Sequence, residues 1–266
     1  MTLTVGARPQ GKHLQEPGEG RLQVRVVGSG TPPVLALRQG APCGQPADPL
    51  YGNEIWHAVT PTMMLAGLRD TVTAEQFLDC LGYGRLTALR AAMAAAGPGL
   101  TRRDRTFGTV SALSTLLCWP AQARLQLTTA AGEAAVQALQ RRRVMSRVET
   151  TLAMRWVVTL SRTFPGDPMV LAPLLLTLRW FDRGEEFVLP AGWPSAVLSG
   201  DAVNVSGLGS CVVDAGLAAR EPNPDAFVAA LDRHAGEPRR EPAADALDRA
   251  LGLARTLASR PAGRPA

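Results

Sequence analysis

The order in which local signals change along this chain constrains its fold more than any single motif. Strand-like patterns open it, helix punctuation fills the middle, and strand signals return before two closing helices. Residues 21–27 alternate polar and apolar side chains, and residues 33–37 form a second apolar run. Gly28-Ser29-Gly30-Thr31-Pro32 lies between them. Period-two alternation around a glycine-bearing connection is the pattern of a β-hairpin. Residues 39–53 are rich in Gly and Pro and read as a loop.

From there helix signals dominate. Thr60, with Pro61 in the first turn, predicts a helix to about residue 69. Thr73 and Gln76 form a capping box for the next helix, which Gly82 and Gly84 interrupt after Leu81. A third helix over 85–96 stops at Gly97-Pro98-Gly99. Residues 101–107 read as a basic loop, and 110–119 as a short apolar helix before Pro120. The longest prediction is one helix over 132–162. Met145, Val148, Leu152, Trp156 and Leu160 form its apolar stripe, with Arg143 and Arg147 on the opposite side. Its second half is apolar on several sides and is expected to be buried.

Pro168 and Pro173 frame a further helical stretch that is expected to end near Arg183-Gly184. Residues 186–189, 196–198, 202–205 and 211–213 then predict short antiparallel strands, with Asp201 and Asp214 as turn residues. Asn223-Pro224-Asp225 opens a helix that Gly236 closes. Beyond a linker, a last helix carries Leu247, Leu251, Ala254 and Ala258 on one face. The expected fold class is α+β: a mainly helical core, an N-terminal β-hairpin and a C-terminal group of short antiparallel strands. The expected organisation is a flexible arm over 1–20, a mixed globular domain over 21–236, and a linker with an amphipathic helix over 237–266. Whether hairpin and later strands join one sheet is left open.

Composition bears mostly on function. The chain has 28 Lys+Arg against 23 Asp+Glu, a net charge of +5. The imbalance is local: residues 84–163 hold twelve arginines against Asp104, Glu133 and Glu149, and the remainder is net acidic. Guanidinium forks bind phosphate oxygens bidentately, and several together release counterions from nucleic acid. The helix–glycine turn–helix over 73–96 would present Arg85 and Arg90 as a DNA-reading helix does. Arg102, Arg103 and Arg105 would meet phosphate from the following loop. Arg141, Arg142, Arg143 and Arg147 would do so from the long helix. The resulting expectation is a non-enzymatic DNA- or RNA-binding protein of the helix-turn-helix or the coating and packaging kind. The alternative is an interaction or assembly protein, docking an acidic partner or self-associating through its last helix.

Other chemistry lacks a pattern. Gly28-Ser29-Gly30 has no lysine of a phosphate loop, and Gly207-Leu208-Gly209 has Val212 where a dinucleotide fingerprint needs its third glycine. The histidines, His13, His57 and His234, are scattered, and His57 reads as a packed or surface residue. Glu185 and Glu186 are adjacent, so on a strand they point to opposite faces. Cys43, Cys80, Cys118 and Cys211 form no CxxC pair. No catalytic residue, metal site or cofactor is therefore expected. With no apolar leader and no apolar run long enough for a span, the expected location is the cytoplasm. Asn204-Val205-Ser206 matches a glycosylation sequon and reads as a chance match.

Overall fold

Side chains on a strand point alternately to opposite faces, so each strand supplies two different rows of residues. The computed structural model describes residues 12–14, 22–28, 31–39, 53–82, 86–95, 105–141, 148–207, 211–219, 222–234 and 244–259. Its strands are β1 (Lys12–Leu14), β2 (Leu22–Val27), β3 (Val34–Arg38), β4 (Glu54–Ala58), β5 (Thr62–Leu68), β6 (Leu176–Phe181), β7 (Glu186–Leu189), β8 (Ser195–Ser199), β9 (Ala202–Gly207) and β10 (Val212–Leu217). They form two antiparallel sheets, in the orders β1-β2-β9-β4-β7 and β10-β3-β8-β5-β6. The fold class is α+β, as expected. The sheets face each other, and each has an outer face covered by helices.

The larger cover is an insertion between the adjacent strands β5 and β6. It contains α1 (Thr71–Leu81), α2 (Thr87–Ala95), α3 (Phe107–Leu117), α4 (Ala121–Gln140), α5 (Val148–Thr163) and α6 (Ala172–Leu175). Phe77, Leu89, Leu113, Leu116, Met154 and Leu160 from these helices join the outer row of the second sheet, Leu35, Leu37, Met63 and Leu65, in one core. α7 (Pro224–His234) adds Phe227 and Leu231.

Arg69 ties the insertion to the sheet. Its Nη2 donates to the Leu176 carbonyl at 3.0 Å, its Nη1 pairs with Glu149 of α5, and its guanidinium lies 3.9 Å over the Phe77 ring. Its carbonyl accepts from Thr109 Oγ1 at 2.9 Å. One buried cation thus joins α1, α3, α5 and β6.

The other cover is α8 (Ala244–Ala258). Ala250, Ala254, Leu247 and Leu251 pack on Val24, Ile55, Val203 and Val205, the outer row of the first sheet. The helix is pinned by Arg255, whose Nε and Nη2 donate to the Glu186 carboxylate at 2.8 and 2.6 Å. Glu186 also meets His57 Nδ1 at 2.9 Å. Burial alone would raise the Glu186 pKa, but the bonds from Arg255 and His57 outweigh it and hold the carboxyl below its ordinary range. The apolar stripe expected to dock a partner is thus occupied by the chain's own sheet.

Five local expectations change. The helix expected from Pro168 to about Arg183 is helical only to Leu175, and its second half is strand β6 (Leu176–Phe181). β2 and β3 are strands but not a hairpin: β2 pairs with β1 and β9, and β3 with β10 and β8. The helix expected over 60–69 is strand β5. Met63 and Leu65 face the helical layer while Met64 and Ala66 face the interior, and burial on both faces erases strand alternation. The single long helix is two, since α4 ends at Gln140 and α5 begins at Val148, with residues 142–147 outside the described set. α1 is capped by Asp70, whose carboxylate accepts from the Thr73 amide at 2.9 Å.

Candidate interior site

The space between the sheets is filled unequally. One half is apolar, with Met64, Phe181, Leu189 and Val197 around Trp56, and Phe181 stacked on Phe187 at 3.9 Å between ring centroids. The other half is polar, and strand register places its residues. On the first sheet Arg25, Asn204 and Trp56 form one cross-strand row, and Gln23, Ser206 and Glu54 form the next. On the second sheet Asp214, Ala36 and Ser195 form a row, with Arg38 two residues beyond Ala36 on the same face. The register of β10 shifts between Asp214 and Gly216. Such bulges re-aim side chains and are common beside active sites.

Arg38 and Glu54 form the centre of the cluster. Arg38 Nε donates to Glu54 Oε1 at 2.8 Å, and Nη1 donates to Gln23 Oε1 at 3.1 Å. Nη2 donates to Asn204 Oδ1 at 3.5 Å. Glu54 Oε2 accepts from Trp56 Nε1 at 3.1 Å and Ser195 Oγ at 3.3 Å. Arg38 and Glu54 are 2% and 3% exposed, so the pair is cut off from solvent. Burial of an ion pair is tolerated only when each partner is held by further bonds, as here.

Around this pair three buried polar atoms have no hydrogen-bond partner among the described residues: Arg25 Nε, Asn204 Nδ2 and Ser206 Oγ. Each such group costs about 1–3 kcal/mol when left unmet. Arg25 lies over Trp56, 6.0 Å from the ring centroid. Burial lowers its pKa, with the Arg38 charge adding to the effect and Glu54 and Asp214 opposing it. Asp214, half-buried, is pushed above the ordinary carboxylate range by burial, with Arg25 opposing. The cluster therefore offers hydrogen-bond donors, two guanidinium cations, one locked carboxylate and one carboxyl that holds its proton more firmly than usual.

None of these residues was singled out as functional in the sequence. Gln23 and Arg25 fit a solvent-facing half of an alternating strand, Asn204 and Ser206 are the two ends of the chance sequon, and Asp214 reads as a turn residue but sits inside β10. Asn204 is fully buried, which leaves no room for a glycan. The usable signal was polar residues recurring inside apolar strands, but which face they take depends on partners far along the chain.

The arginines expected to contact phosphate are placed elsewhere. Arg90 on α2 pairs with Asp79 on α1, joining the two helices expected to form a helix-turn-helix. Arg105 is exposed, and its carbonyl accepts from the Thr71 amide and hydroxyl, both at 2.7 Å. Arg141 is exposed just past α4. Arg85, Arg102, Arg103, Arg142, Arg143 and Arg147 lie outside the described residues. The three described ones belong to the helical layer, and the second sheet separates that layer from the interior cluster.

No family model matches the sequence, and no curated protein resembles it at a significant level. Solved structures do resemble it. A zinc-bound mannose 6-phosphate isomerase superposes with a TM-score of 0.56 at 19% identity, over 80% of this chain and 54% of that one. The apo form from Salmonella typhimurium gives 0.57 at 19% identity, over 80% and 55%. The Salmonella typhimurium enzyme bound to substrate (f6p) and zinc gives 0.55 at 18% identity, over 81% and 55%. The chain thus spans little more than half the length of these neighbours, and the likeness shows a shared fold.

That likeness corrects the functional expectation. The chain shares its fold with enzymes whose structures hold a small sugar phosphate and zinc. The reading as a non-enzymatic nucleic-acid-binding protein is overturned, and with it nucleic acid as the partner. Among the described residues, no helix is long and apolar enough to cross a membrane.

The interior residues do not suit zinc. Zinc takes imidazole, thiolate and carboxylate donors in a tetrahedral set. Here the only carboxylate at the centre of the cluster has both oxygens engaged, one of them by a guanidinium, and its remaining neighbours are amides, hydroxyls and a second arginine. Among the described residues, no three His, Cys, Asp or Glu side chains lie together so as to hold a metal ion.

Proposed function

We propose that this chain is an enzyme that moves a proton between neighbouring carbons of a small, sugar-type substrate bound between the two sheets. The observation that carries the reading is the Arg25–Arg38–Glu54–Asp214 cluster, set inside a fold whose solved neighbours are mannose 6-phosphate isomerases.

Interconversion of an aldose and a ketose removes a proton from the hydroxyl-bearing carbon beside the carbonyl and returns one to the carbonyl carbon, while the hydroxyl proton passes from one oxygen to the other. It needs a base within reach and positive charge near the oxygen where negative charge develops. Arg25 supplies the charge, with an Nε that has no hydrogen-bond partner among the described residues. Arg38 is held in place by Glu54, Gln23 and Asn204 and adds to the field. Glu54 positions Arg38 and does not move protons, since both of its oxygens are bonded. Asp214 is the base and then the acid: its raised pKa brings it closer to neutral pH, and it keeps partial contact with solvent. No step passes through a metal ion. Among the described residues Cys80, Cys118 and Cys211 form no disulfide, which suits a reducing compartment and supports a cytoplasmic location.

The test is proton exchange in D2O in the presence of chelator. Aldoses, ketoses, their phosphates and uronic acids, mannose 6-phosphate and D-glucuronate among them, are followed by NMR for deuterium at the carbon beside the carbonyl. Exchange is expected with at least one of them, and Asp214→Asn should lower its rate by about 10²- to 10⁴-fold. No exchange across the panel, or full exchange by Asp214→Asn, refutes the assignment.

A further inference from the structure

We infer that the ligand of the interior site carries a carboxylate, held by Arg25, Asn204 and Ser206, so that the sugar-type substrate is a sugar acid. The sugar part rests on the reading above, whereas the carboxylate part rests on the unmet donors alone.

Arg25 and Asn204 are register partners on β2 and β9, and Ser206 lies two residues from Asn204 on the same face. Their free atoms, Nε, Nδ2 and Oγ, therefore sit in adjoining rows of one sheet. Asn204 and Ser206 are both 0% exposed. The orientation of the Asn204 amide is fixed, because its Oδ1 accepts from Arg38 and so turns Nδ2 elsewhere. Three donors facing one interior with no acceptor are complementary to a group made of acceptors. A carboxylate supplies two oxygens and about four lone-pair positions and donates nothing.

Charge selects the same group. Glu54 neutralises Arg38. Arg25 then holds one positive charge, influenced by Asp214 but making no bond to it through Nε. A singly charged anion balances it while Asp214 carries its proton, the form that burial favours for this carboxyl. A phosphate dianion would place surplus negative charge beside Glu54 and Asp214, and burial makes unpaired charge expensive. A neutral sugar would leave the unmet guanidinium donor without a charged acceptor.

Isothermal titration of the full chain in chelator-containing buffer tests this with four probes: D-gluconate, D-glucuronate, D-glucose and glucose 6-phosphate. At least one carboxylate should bind, and at least tenfold more tightly than glucose or its phosphate. Ser206→Ala and Asn204→Ala should each weaken that binding by about tenfold, and Arg25→Gln by more. Melting curves check that each variant folds, and the serine variant alone suffices if Arg25→Gln does not. Equal or tighter binding of glucose 6-phosphate, a requirement for added zinc, or no carboxylate binding because water satisfies the donors would each overturn the inference. Carboxylate binding without proton exchange removes the proposed reaction and leaves this site standing. Exchange confined to neutral or phosphorylated sugars does the reverse.

Discussion

Replacing Arg38 by methionine would isolate the buried pair at the centre of the molecule. The change removes the donors to Glu54, Gln23 and Asn204 while keeping an unbranched side chain of similar reach. Glu54 would keep its bonds from Trp56 and Ser195 but lose its counter-charge in a place that is 3% exposed. Removing one partner of a buried pair costs about 3–5 kcal/mol. For a chain of this size, a melting point moves by about 2–4 °C per kcal/mol, giving a fall of roughly 6–20 °C. Urea and thermal unfolding followed by circular dichroism would read it. The double variant Arg38→Met/Glu54→Leu removes both charges and should recover most of the loss, because apolar replacement of a whole buried pair is often neutral or stabilising. A single-variant loss under about 1 kcal/mol, or a double variant as unstable as the single, would refute the reasoning, since coupling is what the cycle measures.

Two further outcomes follow from the same structure. Asp214 has a raised pKa, so in the window above its ordinary value the folded state binds more protons than the unfolded one, and its contribution to stability falls as pH rises. Asp214→Asn should therefore melt higher than the parent at pH 7 and lose that advantage toward pH 4, while giving up proton exchange; a lower melting point at pH 7 refutes this. Leu251→Ala on α8 should cost about 1–2 kcal/mol by uncovering part of the first sheet, with sedimentation unchanged. A change in oligomeric state would show instead that this face meets another chain.

Local signals were legible where local physics decides. Strands at 186–189 and 202–205 and the helix pair around Gly82 appear close to where alternation and punctuation place them. The signals failed where burial is set by distant partners. β5 lies between the helical layer and the sandwich interior, so its apolar run has no strand period. The segment over 33–37 is a strand, but only the positions of β8 and β10 decide that it leaves β2 for the opposite sheet. The candidate site was hidden for the same reason. Arg25, Glu54 and Asn204 come from three strands, and Arg38 and Asp214 from two more on the facing sheet, so no spacing within the chain brings them together. The arginine-rich window was conspicuous because its charges are close in sequence. Its described members belong instead to the helical cover.

The entry and exit of the helical insertion are neighbours: the Arg69 amide donates to the Leu175 carbonyl at 2.9 Å. β5 and β6 must nevertheless wait for everything between them before they pair. The entropy of closing such a loop grows only slowly with its length, but it has to be met before the strand contacts repay it. Helices α1–α6 shorten the path by folding on local contacts and bringing the two ends together. The sandwich, and the charged cluster inside it, would then be the last part of the molecule to close.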